Sequence, residues 1–239
     1  YPYEGVAIYK VPTKNYHILS KGWFSPNHAC SSIYVPFHNS NTEIFDKYES
    51  SEAAEICLSL YNDYSDSLLP IIEPVEQLFL TENDYFDDWA QNSSKSEQTI
   101  IDVLTALDVS MQKQAWIMQK ILYNISHLNP LDQSVLLNFS QNIWNETYAT
   151  SMISIAEILQ DLNYTENNHF YIDSLEELMK SSCRCYIDLA KIAGFVNEDI
   201  ETVYQQALSM LNQGKYMLSA NMFQNLIVFI TLHFLLDQL

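Results

Sequence analysis

The stretch Ile100-Ile-Asp-Val-Leu-Thr-Ala-Leu-Asp-Val-Ser-Met-Gln-Lys-Gln-Ala-Trp-Ile-Met-Gln-Lys-Ile-Leu-Tyr-Asn-Ile125 decides the fold class. Ile100, Leu104, Leu107, Met111, Ala115, Met118, Leu122 and Ile125 recur at spacings of three and four, which puts them on one face of an α-helix. Asn129-Pro130 ends that helix, and residues 131–162 predict a long antiparallel partner. On the other side, Ser51 with Glu55 opens a helix to about Asp66, and Pro70 and Pro74 punctuate the start of another that runs to about Ala90. Residues 91–96 read as a polar linker and 163–168 as a loop. Further helices are predicted over 171–193, closed by Gly194, over 197–212, closed by Gly214, and over 216–237.

Residues 1–48 follow a different pattern. Gly5–Val11 predicts a strand ended by Pro12, Asn15–Ser20 a second and Ser31–Phe37 a third, each rich in β-branched and aromatic side chains. Three short strands make a poor core by themselves, so they lie against the helices or complete a sheet supplied by other chain. The expected architecture is therefore mainly α (α+β): a small β-rich segment over 1–48, packed on a bundle of about six or seven helices over 49–239.

Composition narrows the function classes. A hydrophobic share of 48% excludes disorder, and four glycines exclude the clustered-Gly loops that cradle phosphates. Thirty Asp and Glu against eleven Lys and Arg give a net charge of −19, which repels nucleic acid and anionic lipid. No nucleic-acid partner is expected.

Other features point to an extracellular or cell-surface protein. Tyr1 stands where an initiator Met would, which implies a processed N-terminus or a start inside a longer chain. Five Asn-x-Ser/Thr sequons, at Asn92, Asn124, Asn138, Asn145 and Asn163, are expected glycosylation sites; about two or three would arise by chance at this composition. For the four cysteines two readings stand. Cys183 and Cys185 are too close on a helix to bond each other without strain, so each would reach Cys30 or Cys57; alternatively all four are free thiols. The apolar run Leu226–Leu236 is eleven residues, short of the about 20 that span a bilayer. It reads as a core helix, with the start of a membrane anchor as the alternative.

Several groupings are candidate chemical sites. Cys30 follows His28 by two residues, which on a strand would share a face as a nucleophile and base. His17, His28 and His38, with Glu43, could meet at a metal, and Glu82, Asp84, Asp87 and Asp88 could face calcium. Neither set has a recognised ligand spacing, so no metal, cofactor or catalytic residue is expected.

The segment Trp23-Phe-Ser-Pro-Asn-His-Ala-Cys-Ser-Ser-Ile-Tyr-Val-Pro-Phe, followed by Thr42-Glu43 and Tyr48, is the most distinctive in the chain. Trp23, Pro26, Cys30-Ser31, Val35-Pro36-Phe37, Thr42-Glu43 and Tyr48 resemble the later half of the C69-type dipeptidases, members of the N-terminal-nucleophile hydrolase group. Ser51-Glu-Ala-Ala and the helix to Tyr64 are similar to the helix that follows there. The resemblance covers residues 5–90. It implies a nucleophilic Cys at a mature N-terminus; here that position is Tyr1, so no nucleophile carries over. The resemblance then implies the C-terminal helical portion of an exported C69-like relative whose partner is the missing N-terminal chain of the same precursor. Asn27, His28 and residues 31–37 would be wall residues beside that partner's site. Two alternatives stand beside it: a non-catalytic, self-associating surface or filament glycoprotein, and a tetratricopeptide-like binding module. The second rests on Gly214-Lys-Tyr216 with Ser219, Phe223 and Leu226, which resembles one repeat junction without a second copy.

Overall fold

The amphipathic stripe of residues 100–125 organises the molecule as a helix in a computed structural model that describes residues 6–128, 143–144, 147–162, 169–195 and 198–238. In chain order the elements are β1 (Val6–Lys10), α1 (Tyr16–Leu19), β2 (Lys21–Ser25), β3 (Val35–His38), α2 (Asp46–Glu49), α3 (Glu52–Asn92), α4 (Glu97–Leu128), α5 (Tyr148–Asp161), α6 (His169–Ile192), α7 (Glu198–Asn212) and α8 (Tyr216–Leu236). The architecture is mainly α with a small antiparallel sheet of order β1-β2-β3 at the front. Ile100, Leu104, Leu107, Met111, Ala115, Met118 and Leu122 of α4 are buried, as their spacing requires. α4 packs on α3, α6 and β3, while α8 packs on α5, α6 and α7. One continuous core runs from Ile18, Leu19 and Val35 of the β segment to Phe234 of α8.

Three local expectations are corrected. Asn15–Ser20 is not a strand: Asn15 takes a left-handed backbone (φ 48°, ψ 34°), and the N–H groups of Ile18 and Leu19 both bond back to its carbonyl at 2.9 Å. Asn tolerates that conformation, and the helical turn α1 sends the adjacent Ile18 and Leu19 into the core together, which a strand could not. The actual strand starts directly after it, at Lys21.

Pro70 and Pro74 do not separate two helices; both lie inside the 41-residue α3. Each removes a rung at a cost of about 3 kcal/mol. Ile71, Ile72, Val75, Leu78 and Phe79 surround them and are all buried, and at roughly 2 kcal/mol each their burial outweighs that cost.

The expected helix over 131–162 is also not one element. Residues 129–142 lie outside the described residues, and α5 has a fresh start: the Thr147 hydroxyl accepts the Thr150 N–H while the Thr150 hydroxyl accepts the Thr147 N–H. α5 packs chiefly on α8 rather than on α4.

The C-terminal expectations hold closely. Gly194 and Gly214 end α6 and α7 at φ 78° and 68°. Beyond each, the next N–H reaches back five residues, Phe195 to Ala190 at 2.8 Å and Lys215 to Met210 at 3.0 Å, the bond that a left-handed glycine cap permits. α8 is 21 residues long, and by length and composition alone it could cross a membrane. Its Phe223, Leu226, Ile227, Ile230 and Phe234 are nevertheless core, while Leu218, Val228, Phe229, Leu232, Leu235 and Leu236 are exposed.

Phe234 is the hub of an aromatic cluster, with edge-on contacts to Phe86 and Phe195 at 5.0 Å and to Trp89 at 5.1 Å. The Trp89 indole donates to Asp237 at 3.0 Å, fastening the end of α8 to the end of α3. Phe234→Ala is expected to lower unfolding stability by about 3–5 kcal/mol in urea titrations. A loss under about 1 kcal/mol would show that α8 is not part of the core.

Candidate functional site

Three places concentrate chemistry: the junction between the sheet and the helices, a cleft on the helical face, and the outer edge of the sheet.

At the junction, Lys21 at the start of β2 lies directly opposite His38 at the end of β3. Two cations on facing positions repel, and the helices supply the answer. Asp87 of α3 bridges them, its Oδ2 2.7 Å from Lys21 Nζ and its Oδ1 3.0 Å from His38 Nε2. Asp108 of α4 accepts from the His38 backbone N–H at 2.8 Å, from His38 Nδ1 at 2.9 Å and from Asn41 at 2.7 Å. Asn83 completes the ring, accepting from Lys21 and donating to Asp108 at 3.3 Å. All five of Lys21, His38, Asn83, Asp87 and Asp108 are buried.

Burial alone would drive the proton off His38, but the Asp108 and Asp87 carboxylates outweigh it and raise the imidazole from 6.5 to about 9. Burial likewise pushes Asp87 up, and His38 and Lys21 overcome it, so its carboxyl falls below the ordinary range. With a carboxylate on each ring nitrogen, His38 is an imidazolium with no lone pair to offer, and so it is a clamp rather than a general base.

The candidate metal ligands are dispersed. His17 faces Glu97 at 3.4 Å, and His28 stacks on Tyr61 with ring centroids 3.8 Å apart. Glu43 is exposed on the loop after β3. Along α3, Glu82 turns the opposite way from Asp84 and Asp87: it accepts from the Tyr148 N–H at 3.1 Å and from the Tyr186 hydroxyl, and burial raises its carboxyl against both bonds. Asp84 pairs with Lys10 at 2.9 Å. Among the described residues no three His, Cys, Asp or Glu side chains converge as metal ligands.

The pairing of His28 with Cys30 presumed a strand. Those residues sit instead in a turn closed by Ser31 N–H to His28 C=O at 3.0 Å, so they need not share a face. All four cysteines are free thiols rather than bridges from Cys183 or Cys185 to Cys30 or Cys57; Cys30 is half-buried and the others are buried. Burial raises Cys57 and Cys185 to about 12, the latter against the hydrogen bond of Ser110, so neither is a thiolate at neutral pH. Of the sequons, Asn92 is exposed at the end of α3 and Asn124 is half-buried in α4. Asn138, Asn145 and Asn163 lie outside the described residues.

The cleft lies between α4, α6 and α7, with a volume of about 610 Å³ and Ser110 and Cys185 among its walls. The outer edge of the sheet is β1, all five residues of which are exposed, with Ile8 at 58% and Tyr9 at 72%. Among the described residues no strand pairs with that edge.

Asp108, Asn83 and Lys21 were missed in the sequence. A signal did exist: residues 5–42 carry Lys10, Lys14 and Lys21 but no Asp or Glu, in a chain of net charge −19. A segment so biased against its own chain is a candidate for charge-complementary docking. No family model matches the chain, and neither a curated protein nor a solved structure matches it.

The His38 clamp sets a pH dependence. A group whose pKa rises on folding contributes fully below its unfolded value and loses that contribution as pH climbs through its folded value. Stability is therefore expected to fall by roughly 3 kcal/mol between pH 6.5 and about 9.5, following His38. His38→Gln should be less stable at pH 6 and flat over that interval in denaturant titrations; a wild-type curve equally flat would remove the clamp.

Proposed function

We propose that this chain is the C-terminal helical portion of an exported relative of the C69-type dipeptidases, without a complete active site of its own, whose sheet is completed by a strand from the missing N-terminal chain of its precursor. The observation that carries this reading is β1. A strand with every residue exposed, apolar side chains at Val6, Ile8 and Tyr9 and an open edge is a template for another strand. Only Lys10 interrupts it, through its pair with Asp84.

Two further features support the reading. The most distinctive part of the segment that resembles the family, Trp23 to Tyr48, runs from β2 through α2, with Phe37 against Tyr48 at 6.3 Å, and is tied to α3 by Asn27 donating to the Ala54 carbonyl at 3.1 Å. The Tyr48 hydroxyl, one of the family-like positions, is buried without a hydrogen-bond partner among the described residues. A buried orphan of that kind calls for an explanation, and in this reading the partner chain supplies its missing bond. In this reading Asn27, His28 and residues 31–37 are wall residues, and the nucleophile belongs to the partner.

The test is the mass of the native material. A second, Cys-initiated chain that co-purifies and cleaves dipeptides is expected, and Ile8→Lys with Tyr9→Lys should release it. Native material containing this chain alone, stable and without peptidase activity, would overturn the proposal.

A second reading has one observation in its favour, the exposed sequon at Asn92. As a surface glycoprotein the chain would lose apparent mass on enzymatic removal of N-glycans, and Asn92→Gln would remove part of that shift.

A further inference from the structure

The outer face of α8 is unlike the rest of a chain whose net charge is −19. Tyr216–Leu236 holds no Asp, Glu, Lys or Arg, whereas each helix from α2 to α7 carries at least two acids. One side of α8 is core, through Phe223, Leu226, Ile227, Ile230 and Phe234. Away from it, Val228, Phe229, Leu232, Leu235 and Leu236 fall at i, i+1, i+4, i+7 and i+8, the spacing of a second apolar stripe. These five are 44–63% exposed. Phe229 meets His233 edge-on at 4.6 Å, and His233 stacks on Phe195 at 6.1 Å, so the largest ring of the stripe is held in place.

The size of the patch fits a weak interface. At about 200 Å² for a bare Leu or Phe, the five side chains leave roughly 450 Å² of apolar surface, the scale of a functional patch on a monomer. Two such patches together bury about 900 Å², which places the contact among weak, reversible associations.

Charge and symmetry choose the occupant. An uncharged face offers nothing to a charged partner, and the acidity of the whole chain repels anionic lipid. Two copies of so acidic a chain also repel each other, except where neither carries charge, and α8 is that place. The stripe is its own complement. An antiparallel crossing with the two-fold axis at Leu232 sets Val228 against Leu236 and Phe229 against Leu235 of the second copy, apolar on apolar throughout. It also keeps the two C-terminal helix ends about 12 Å apart along the axis, where a parallel pair would set their like dipole ends side by side.

We infer that α8 is a homodimer interface, through which a second copy of this chain docks antiparallel across Leu232. The interface is separate from the sheet edge and does not depend on its completion, so either proposal can fail without the other.

Sedimentation equilibrium of the full chain from about 1 µM to 1 mM should show a monomer–dimer equilibrium with a Kd of about 10–100 µM. Raising NaCl from about 0.05 to 0.5 M should tighten it several-fold by screening the repulsion between copies. Leu232→Lys sets two ammonium groups face to face and should weaken the dimer about 100-fold or more. Leu218→Lys, exposed on the same helix, and Ile8→Lys with Tyr9→Lys at the sheet edge should leave it unchanged. All these positions are exposed, so the variants should keep the wild-type melting profile at about 1 µM. A charge-free test uses a Cys30→Ser background, in which the remaining thiols are buried. There Val228→Cys with Leu236→Cys should be linked between chains by a short bismaleimide, and neither substitution alone should be. A chain monomeric up to about 1 mM, a dimer indifferent to Leu232→Lys or lost with the Leu218 or sheet-edge variants, weakening by salt, or cross-linking of either single cysteine variant would each overturn the inference. So would Leu232-dependent binding to phosphatidylcholine vesicles in place of a dimer.

Discussion

Asp87 placed between Lys21 and His38 is the contact on which the arrangement of the molecule depends. The sheet register sets two cations face to face, and without an acid between them β2 and β3 could not hold that register against α3 and α4. Withdrawing ions from water is costly, and this cluster offsets the cost by matching two cations with two carboxylates and using nearly every donor. An apolar substitute of the same volume could be as stable, but it would not fix which strand residue meets which helix turn. Removing one member alone leaves a buried charge without its counterion, the more damaging change by about 3–5 kcal/mol.

How much of this was legible in the sequence depends on whether the deciding interactions were local. α4 was read to within a few residues because its stripe repeats over eight apolar positions, and α6, α7 and α8 because glycine caps marked their limits. α3 was misread because the rule that proline breaks helices is local, whereas the burial that overrides it comes from neighbours distant in sequence. Residues 15–20 read as a strand in the sequence because Tyr16, Ile18 and Leu19 suit either state; the left-handed Asn15 decides, and no spacing announces it. Among site residues, His38 and Asp87 stand out in the sequence, but as candidate metal ligands. Their actual partners are distant along the chain, Lys21 lying 66 residues from Asp87 and Asp108 70 residues from His38, so only the acid-free bias of residues 5–42 could have hinted at the cluster.

The β segment is thus asymmetric. Its inner strands β2 and β3 are tied to the helices through charge, hydrogen bonds and the apolar contacts of Ile33 and Val35. Its outer strand is held by β2 and by one surface ion pair, Lys10 with Asp84, of a kind contributing at most about 1 kcal/mol. Tyr9 shields the gap over Gly22, where an added Cβ would come within 3.0 Å of the ring, and so the hairpin is matched side chain to backbone even where it faces solvent.

The prolines of α3 have a consequence for how the molecule breathes. With no N–H at Pro70 and Pro74, the carbonyls of residues 66 and 70 lack their helical donors. Cooperative fraying that begins at one end of a helix travels through its ladder of bonds, and here the ladder is interrupted twice within four residues. The turns around Cys57 and Leu60 and those around Phe86 and Trp89 should consequently exchange their amide hydrogens as two separate units along a single rod.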